Sequence, residues 1–271
     1  VPYCKVRQAE IYYEEIGEGK PILMIHGFTP DHRLMSGCME PIFTLREGWR
    51  RIYIDLPGMG LTKNYNEISS SEDMLSTLTD FIEAVLPKQE YIIVGESYGG
   101  YLASGLIKMQ KERIIGAAFI CPVIIPQQDV RMIEKHRILR RDDEFIKKLS
   151  KVELVDFSSN QVVLDEYNWI RYNKEILAGC KLVDEQFLAK IKNKYEFSFN
   201  VNRTIFNSPS LFLLGKQDSS VGYKDAINIM DYYPRGSFAI LDIAGHNLQI
   251  EQPQLFSSLV NEWLDRTEEL L

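Results

Sequence analysis

No apolar run in this 271-residue chain approaches the roughly 18 to 20 residues that span a bilayer, so no membrane helix is expected. The opening residues Val1-Pro2-Tyr3-Cys4-Lys5 contain no apolar h-region, which argues against a signal peptide in the residues shown. Basic residues are the minority, 31 against 38 acidic, for a net charge of −7; the chain lacks the positive footprint that nucleic acid or an anionic membrane calls for. Cysteine is sparse: Cys4, Cys38, Cys121 and Cys180 are scattered without a C-x-x-C, which argues against a disulfide framework or a zinc site. Cys38 and Cys121 sit among apolar neighbours and read as small core fillers, and the expected compartment is the reducing cytoplasm. There is no internal repeat, low-complexity tract or long linker. What remains is 45% hydrophobic and 25% charged, a soluble globular composition long enough to bury a sizeable core.

Apolar runs and amphipathic stretches alternate along the chain. Residues 6–16 are rich in β-formers. Residues 21–25 form a continuous apolar run, as a strand buried on both faces should. Further strands are expected at 51–54, 91–94 and 114–121, then at 210–215 and 237–241. Helices are expected at 38–45, 69–86, 101–111, 224–233 and 253–270. The clearest is 69–86, where Met74, Leu75, Leu78, Phe81, Ile82 and Val85 share one face and Pro87 ends it. Between 122 and 207 the rhythm changes: charged, amphipathic segments at 142–152, 164–177 and 184–195 predict helices with no buried strand. Alternating strands and helices predict an α/β fold, a mostly parallel central sheet flanked by helices. The expected division is a core of residues 1–121 and 208–271, with 122–207 inserted as a helical cap.

The most informative stretch is Gly95-Glu96-Ser97-Tyr98-Gly99-Gly100, between the run 91–94 and the helix that follows. Gly-x-Ser-x-Gly between a strand and a helix is the nucleophile-elbow pattern. A sharp turn holds the serine Oγ clear of the backbone, and the first N–H groups of the helix, from Tyr98 onward, face the place where an oxyanion forms. Acyl transfer also needs a base and an acid to orient it. Of four histidines, His246 lies in a loop just after the last strand, at the sheet edge where functional loops gather. His32 and His136 read as surface or packing residues, and His26 as a brace for its turn. Asp218, in Gly215-Lys216-Gln217-Asp218, is the best candidate acid; Asp242 competes, four residues before His246. Glu96 should point away if Ser97 points into the cleft.

The order Ser97, Asp218, His246, together with His26-Gly27-Phe28, Asp55-Leu56-Pro57-Gly58-Met59-Gly60 and the elbow, resembles the α/β-hydrolase superfamily over residues 20–121 and 209–266. The resemblance implies a small serine hydrolase whose oxyanion hole is the main-chain N–H of Phe28 and of Tyr98, with no metal or organic cofactor. Serine in place of aspartate at 97 argues against dehalogenases and epoxide hydrolases of this fold. His26-Gly27-Phe28 lacks the HGGG and HGGPG runs of other members, and Tyr98 stands where carbon–carbon bond hydrolases usually show Met. The function expected is cleavage of small to medium, largely apolar carboxylic esters. Lactone, thioester or carbon–carbon bond hydrolysis on the same triad is the alternative, as is a ligand-binding protein with little turnover. The partner expected is a small-molecule ester, with Trp169 and Tyr172, three apart on one helix face, as candidate substrate contacts.

Overall fold

The computed structural model describes residues 3–269. Among the described residues, ten strands and intervening helices follow in chain order. The first part holds β1 (Tyr3–Lys5), β2 (Glu10–Ile16), β3 (Lys20–Ile25), α1 (His32–Phe43), β4 (Trp49–Ile54), α2 (Ser71–Val85), β5 (Tyr91–Glu96), α3 (Tyr98–Gln110) and β6 (Ile114–Ile120). After the insertion come β9 (Ser210–Gly215), α9 (Lys224–Ile227), β10 (Gly236–Leu241), α10 (Leu248–Glu251) and α11 (Pro253–Glu268). The 270th residue, at the end of the expected last helix, lies outside the described residues, as do Val1 and Pro2.

The main sheet has the order β1-β2-β4-β3-β5-β6-β9-β10. From β4 to β10 every neighbouring pair is parallel, while β1 and β2 run antiparallel at one edge. β5 and β9 are buried at every position, which explains why they read as unbroken apolar runs. The parallel strands all deliver their loops to one edge: the loop at His26 after β3, at Asp55 after β4, at Ser97 after β5, and at Asp218 and His246 after β9 and β10.

α1 begins at His32, six residues before the expected start. Asp31 caps it by accepting from the Arg33 N–H, and Pro41 is carried inside it. His32 is therefore neither in a loop nor on the surface. It is buried, and its Nδ1 lies 2.8 Å from Asp55 Oδ1. His26 does brace its turn: Nδ1 lies 2.7 Å from the Gly27 carbonyl, and Nε2 accepts from the Leu56 N–H at 3.0 Å.

Between β6 and β9 short helices alternate with irregular chain: α4 (Asp143–Ile146), α5 (Lys151–Asn160), α6 (Glu166–Tyr172), α7 (Ala178–Cys180) and α8 (Glu185–Lys192). Two details differ from the expectation. The single helix expected at 142–152 is two, because Ser150 starts a new helix with a capping box to Glu153. A two-residue parallel ladder pairs β7 (Arg140–Arg141) with β8 (Val163–Leu164), and β8 is buried. Phe145, Phe157, Trp169, Phe187 and Phe197 from this segment join the same buried cluster as the sheet. Among the described residues no helix is long and apolar enough to cross a membrane.

Candidate active site

β5 ends in a turn that fits only if it carries no side chain on either flank. A Cβ on Gly95 would meet the Gly99 carbonyl oxygen at 2.4 Å, and one on Gly99 would meet the Ile25 oxygen at 2.2 Å. Ser97 sits between them with φ +50° and ψ −112°, a backbone conformation that a non-glycine residue rarely holds and that clusters at functional sites. Its own backbone is tied on both sides: the N–H donates to the Ile120 carbonyl at 2.9 Å, and the carbonyl accepts from the Val123 N–H at 3.0 Å. The hydroxyl is thereby presented at the start of α3, over the sheet edge.

Ser97 Oγ lies 2.9 Å from His246 Nε2, and His246 Nδ1 lies 2.8 Å from Asp218 Oδ2. The other oxygen of Asp218 accepts from the main-chain N–H groups of Ser220 and Val221 at 2.8 and 3.0 Å. Burial alone would raise the Asp218 pKa. The charge of His246, their hydrogen bond and the two N–H donors outweigh burial and hold this carboxyl below the usual range. For His246, burial pulls the imidazole down, but Asp218 and its hydrogen bond, helped by Glu96, push it up to about 9. Asp242 stands apart: it is exposed and accepts from Gln217 Nε2 at 2.7 Å.

Phe28 and Tyr98 follow β3 and Ser97, and neither amide donates a hydrogen bond among the described residues. The Phe28 ring lines the cleft and meets Tyr98 edge-on at 5.2 Å. The Tyr98 side chain turns inward; it is fully buried, with its hydroxyl 2.8 Å from Ser71 Oγ at the start of α2. Tyr195 packs on both rings, 5.8 Å from Phe28 and 4.9 Å from Tyr98.

The cleft above Ser97 measures about 1560 Å³. Residues of the segment between β6 and β9 line much of it, among them Tyr172, Ile176, Cys180, Tyr195 and Phe197. Trp169 does not line it. The two rings share a side of α6, 6.4 Å apart, but Trp169 packs edge-on against Phe157 at 5.2 Å and stays out of the cleft. Tyr172 donates to Asp156 Oδ2 at 2.9 Å. Arg131, Lys192, Lys194, Asp156 and Asn160 also border the cleft, so it is more polar than the aromatic content of the segment suggests.

Three residues were not expected at the site. Glu96 lines the cleft, with Oε1 3.4 Å from His246 Nε2, and burial pushes its carboxyl up to about 7 against the opposing pull of His246. Arg131 donates to the carbonyls of Ile125, Pro126 and Ser220. Glu251, in α10, accepts from the Gly245 N–H with one oxygen and from the Val162 N–H with the other, both at 2.5 Å.

Among the described residues, two clusters have the donor types of a metal site. Cys121, Asp218 and His246 overlap the triad, whose bonds occupy the last two. In the buried group Asp31, His32 and Asp55, Asp31 is engaged by Arg33 and His32 Nδ1 by Asp55.

A family model described as alpha/beta hydrolase fold matches residues 20–253. The structure of an alpha/beta superfamily hydrolase from Oenococcus oeni PSU-1 is similar with a TM-score of 0.92 and 30% identity, over 99% of this chain and 100% of that one. Monoacylglycerol lipase ABHD6 of Bos taurus is 22% identical over 265 residues, 92% of this chain and 76% of that protein. The 2-hydroxy-6-oxo-6-(2'-aminophenyl)hexa-2,4-dienoic acid hydrolase of Metapseudomonas resinovorans is 23% identical over 282 residues, 96% and 89% of the two chains.

Proposed function

The chain belongs to the α/β-hydrolase superfamily, and from that premise we propose that it is a serine hydrolase cleaving carboxylic esters through an acyl-enzyme on Ser97. The observation that carries this reading is the unbroken chain Ser97 Oγ, His246 Nε2, His246 Nδ1, Asp218 Oδ2, with both links under 3 Å. His246 takes the Ser97 proton as Oγ attacks the carbonyl carbon, and the carbonyl π pair moves to oxygen. The amides of Phe28 and Tyr98 receive that oxyanion. The imidazolium returns the proton to the leaving alkoxide, and water repeats the sequence on the acyl-enzyme. Asp218 fixes the imidazole tautomer and offsets its charge.

Residues 122–207 act in this reading as a cap that selects the substrate. Tyr172, Tyr195 and Phe197 offer apolar surface for an acyl or alcohol group, while Arg131, Asn160 and the lysines at 192 and 194 leave room for polar atoms. The substrate is therefore an ester of mixed character rather than a wholly apolar one. A fluorophosphonate probe should add a single label on the peptide containing Ser97, and Ser97→Ala should abolish it. Labelling at another serine, or none on folded protein, would overturn the assignment. A panel of esters of rising acyl length, beside lactones, thioesters and a vinylogous diketone, then decides the bond class. Tight binding of any of these with at most one turnover would identify a binding protein instead.

A further inference from the structure

Glu96 is the last residue of β5, and neighbours on a strand face opposite ways. The alternation stops at Ser97, whose positive φ breaks the strand, and both side chains then reach the cleft. The Glu96 carboxyl is buried there in a fixed place. One oxygen lies 3.4 Å from His246 Nε2, the nitrogen that also faces Ser97 Oγ at 2.9 Å. The other lies against Gly27, where a Cβ would meet it at 2.1 Å. Among the described residues no lysine or arginine pairs with it.

We propose that Glu96 is a positioning residue for the base, a second carboxyl that competes with Ser97 for the Nε2 proton of the His246 imidazolium and so sets the pH at which the base is free. The inference rests on the reading of Ser97 and His246 as nucleophile and base. A neutral imidazole accepts from the Ser97 hydroxyl through its Nε2 lone pair and offers Glu96 nothing. A protonated one carries a hydrogen on Nε2 with two acceptors in reach, and the charged carboxylate is the stronger of them. The resting enzyme is then held with Asp218 on one ring nitrogen and Glu96 on the other, and attack by Ser97 waits for that proton to leave. Once Ser97 has passed its proton to Nε2, the same carboxylate stabilises the new imidazolium. Glu96 therefore costs activity at low pH and assists it at high pH.

The other groups around the pair fit this arrangement. Asp218 raises the pKa of Glu96 and of His246 alike; Tyr195, Cys38 and Cys121 feel the Glu96 charge; Arg131 opposes the carboxylates at His246. Two groups coupled this closely titrate as a pair, with apparent pKa values that belong to both.

The test is the pH profile of kcat/KM on a small ester for the wild type, Glu96→Gln and Glu96→Asp, with folding checked by thermal melts. Removing an opposite charge at this range should move the acid limb down by about 1 to 3 pH units. The Gln profile should cross that of the wild type, faster on the acid side and slower on the plateau. Glu96→Asp keeps the charge but withdraws it, and its limb should fall between the two. A folded Gln variant with an unmoved limb, or with a uniform loss at all pH, overturns the proposal. If the Gln variant does not fold, the wild-type and Asp limbs are compared with NMR titrations of the His246 ring, and identical titrations overturn it equally. Retained activity in His246→Ala would instead overturn the underlying reading of the base.

Discussion

At the scale of single residues the candidate site is marked by local signals, and the residues they mark are the ones the structure brings together. Ser97 announces itself through the glycines two positions either side, and His246 through its place after the last strand. Asp218 was harder to separate from Asp242, since both follow a strand. The distinction is spatial: Asp218 is buried with its second oxygen held by two amides, and Asp242 is exposed on Gln217. Asn at 218 removes the charge that holds the imidazole's tautomer, and should cut kcat by about 10⁴-fold. On the proposed mechanism the base works only when neutral, so activity should rise with pH through the titration of His246. That limb is expected above the ordinary value near ~6.5, since Asp218 and Glu96 push His246 up to about 9. Asp218→Asn should also lower the limb, while Asp242→Asn should leave both rate and limb close to the wild type. A damaging Asp242→Asn beside a mild Asp218→Asn would reverse the choice of acid. Glu96 was not legible, because strand alternation is the right rule for a strand and Ser97 is where the strand stops.

At the scale of elements, the parallel strands were legible because burial on both faces leaves only apolar residues in them. The helices between β6 and β9 were less so. Ser150 and Glu153, spaced as a capping box, marked the break between α4 and α5, but charged residues on both sides of it made one amphipathic stretch. α6 shows why spacing alone does not name a pocket residue. Trp169 and Tyr172 share a side of the helix, yet Tyr172 borders the cleft and Trp169 fills the space behind it against Phe157. Trp169→Ala should therefore cost stability, about 3 to 5 kcal/mol for a buried tryptophan, read as a lowered denaturation midpoint, with acyl-length preference unchanged. Tyr172→Ala should change that preference through KM. The outcome that fails this picture is a shifted preference in Trp169→Ala with its stability intact.

At the scale of the whole molecule, the motifs in chain order were enough to read the fold, since each marks the end of a parallel strand and all such ends share one edge. No motif could reveal how the segment between β6 and β9 is tied to that edge, because the tie joins residues far apart in sequence. Glu251 makes it. One carboxylate oxygen takes the amide of Gly245, next to the base, and the other takes the amide of Val162, at the entry to β8. Two acceptors on one rigid planar group cannot shift separately, so the tie behaves as an interlock. A displacement of Val162 should then be felt at Gly245, next to His246, so that the geometry of the proposed base depends on the segment beside it. Glu251→Gln leaves one carbonyl acceptor and one NH2 donor, so one of the two amides loses its partner; if the loops are coupled, hydrogen exchange should quicken at both Val162 and Gly245, along with a fall in kcat. Faster exchange at one amide alone would mean that the two loops open independently.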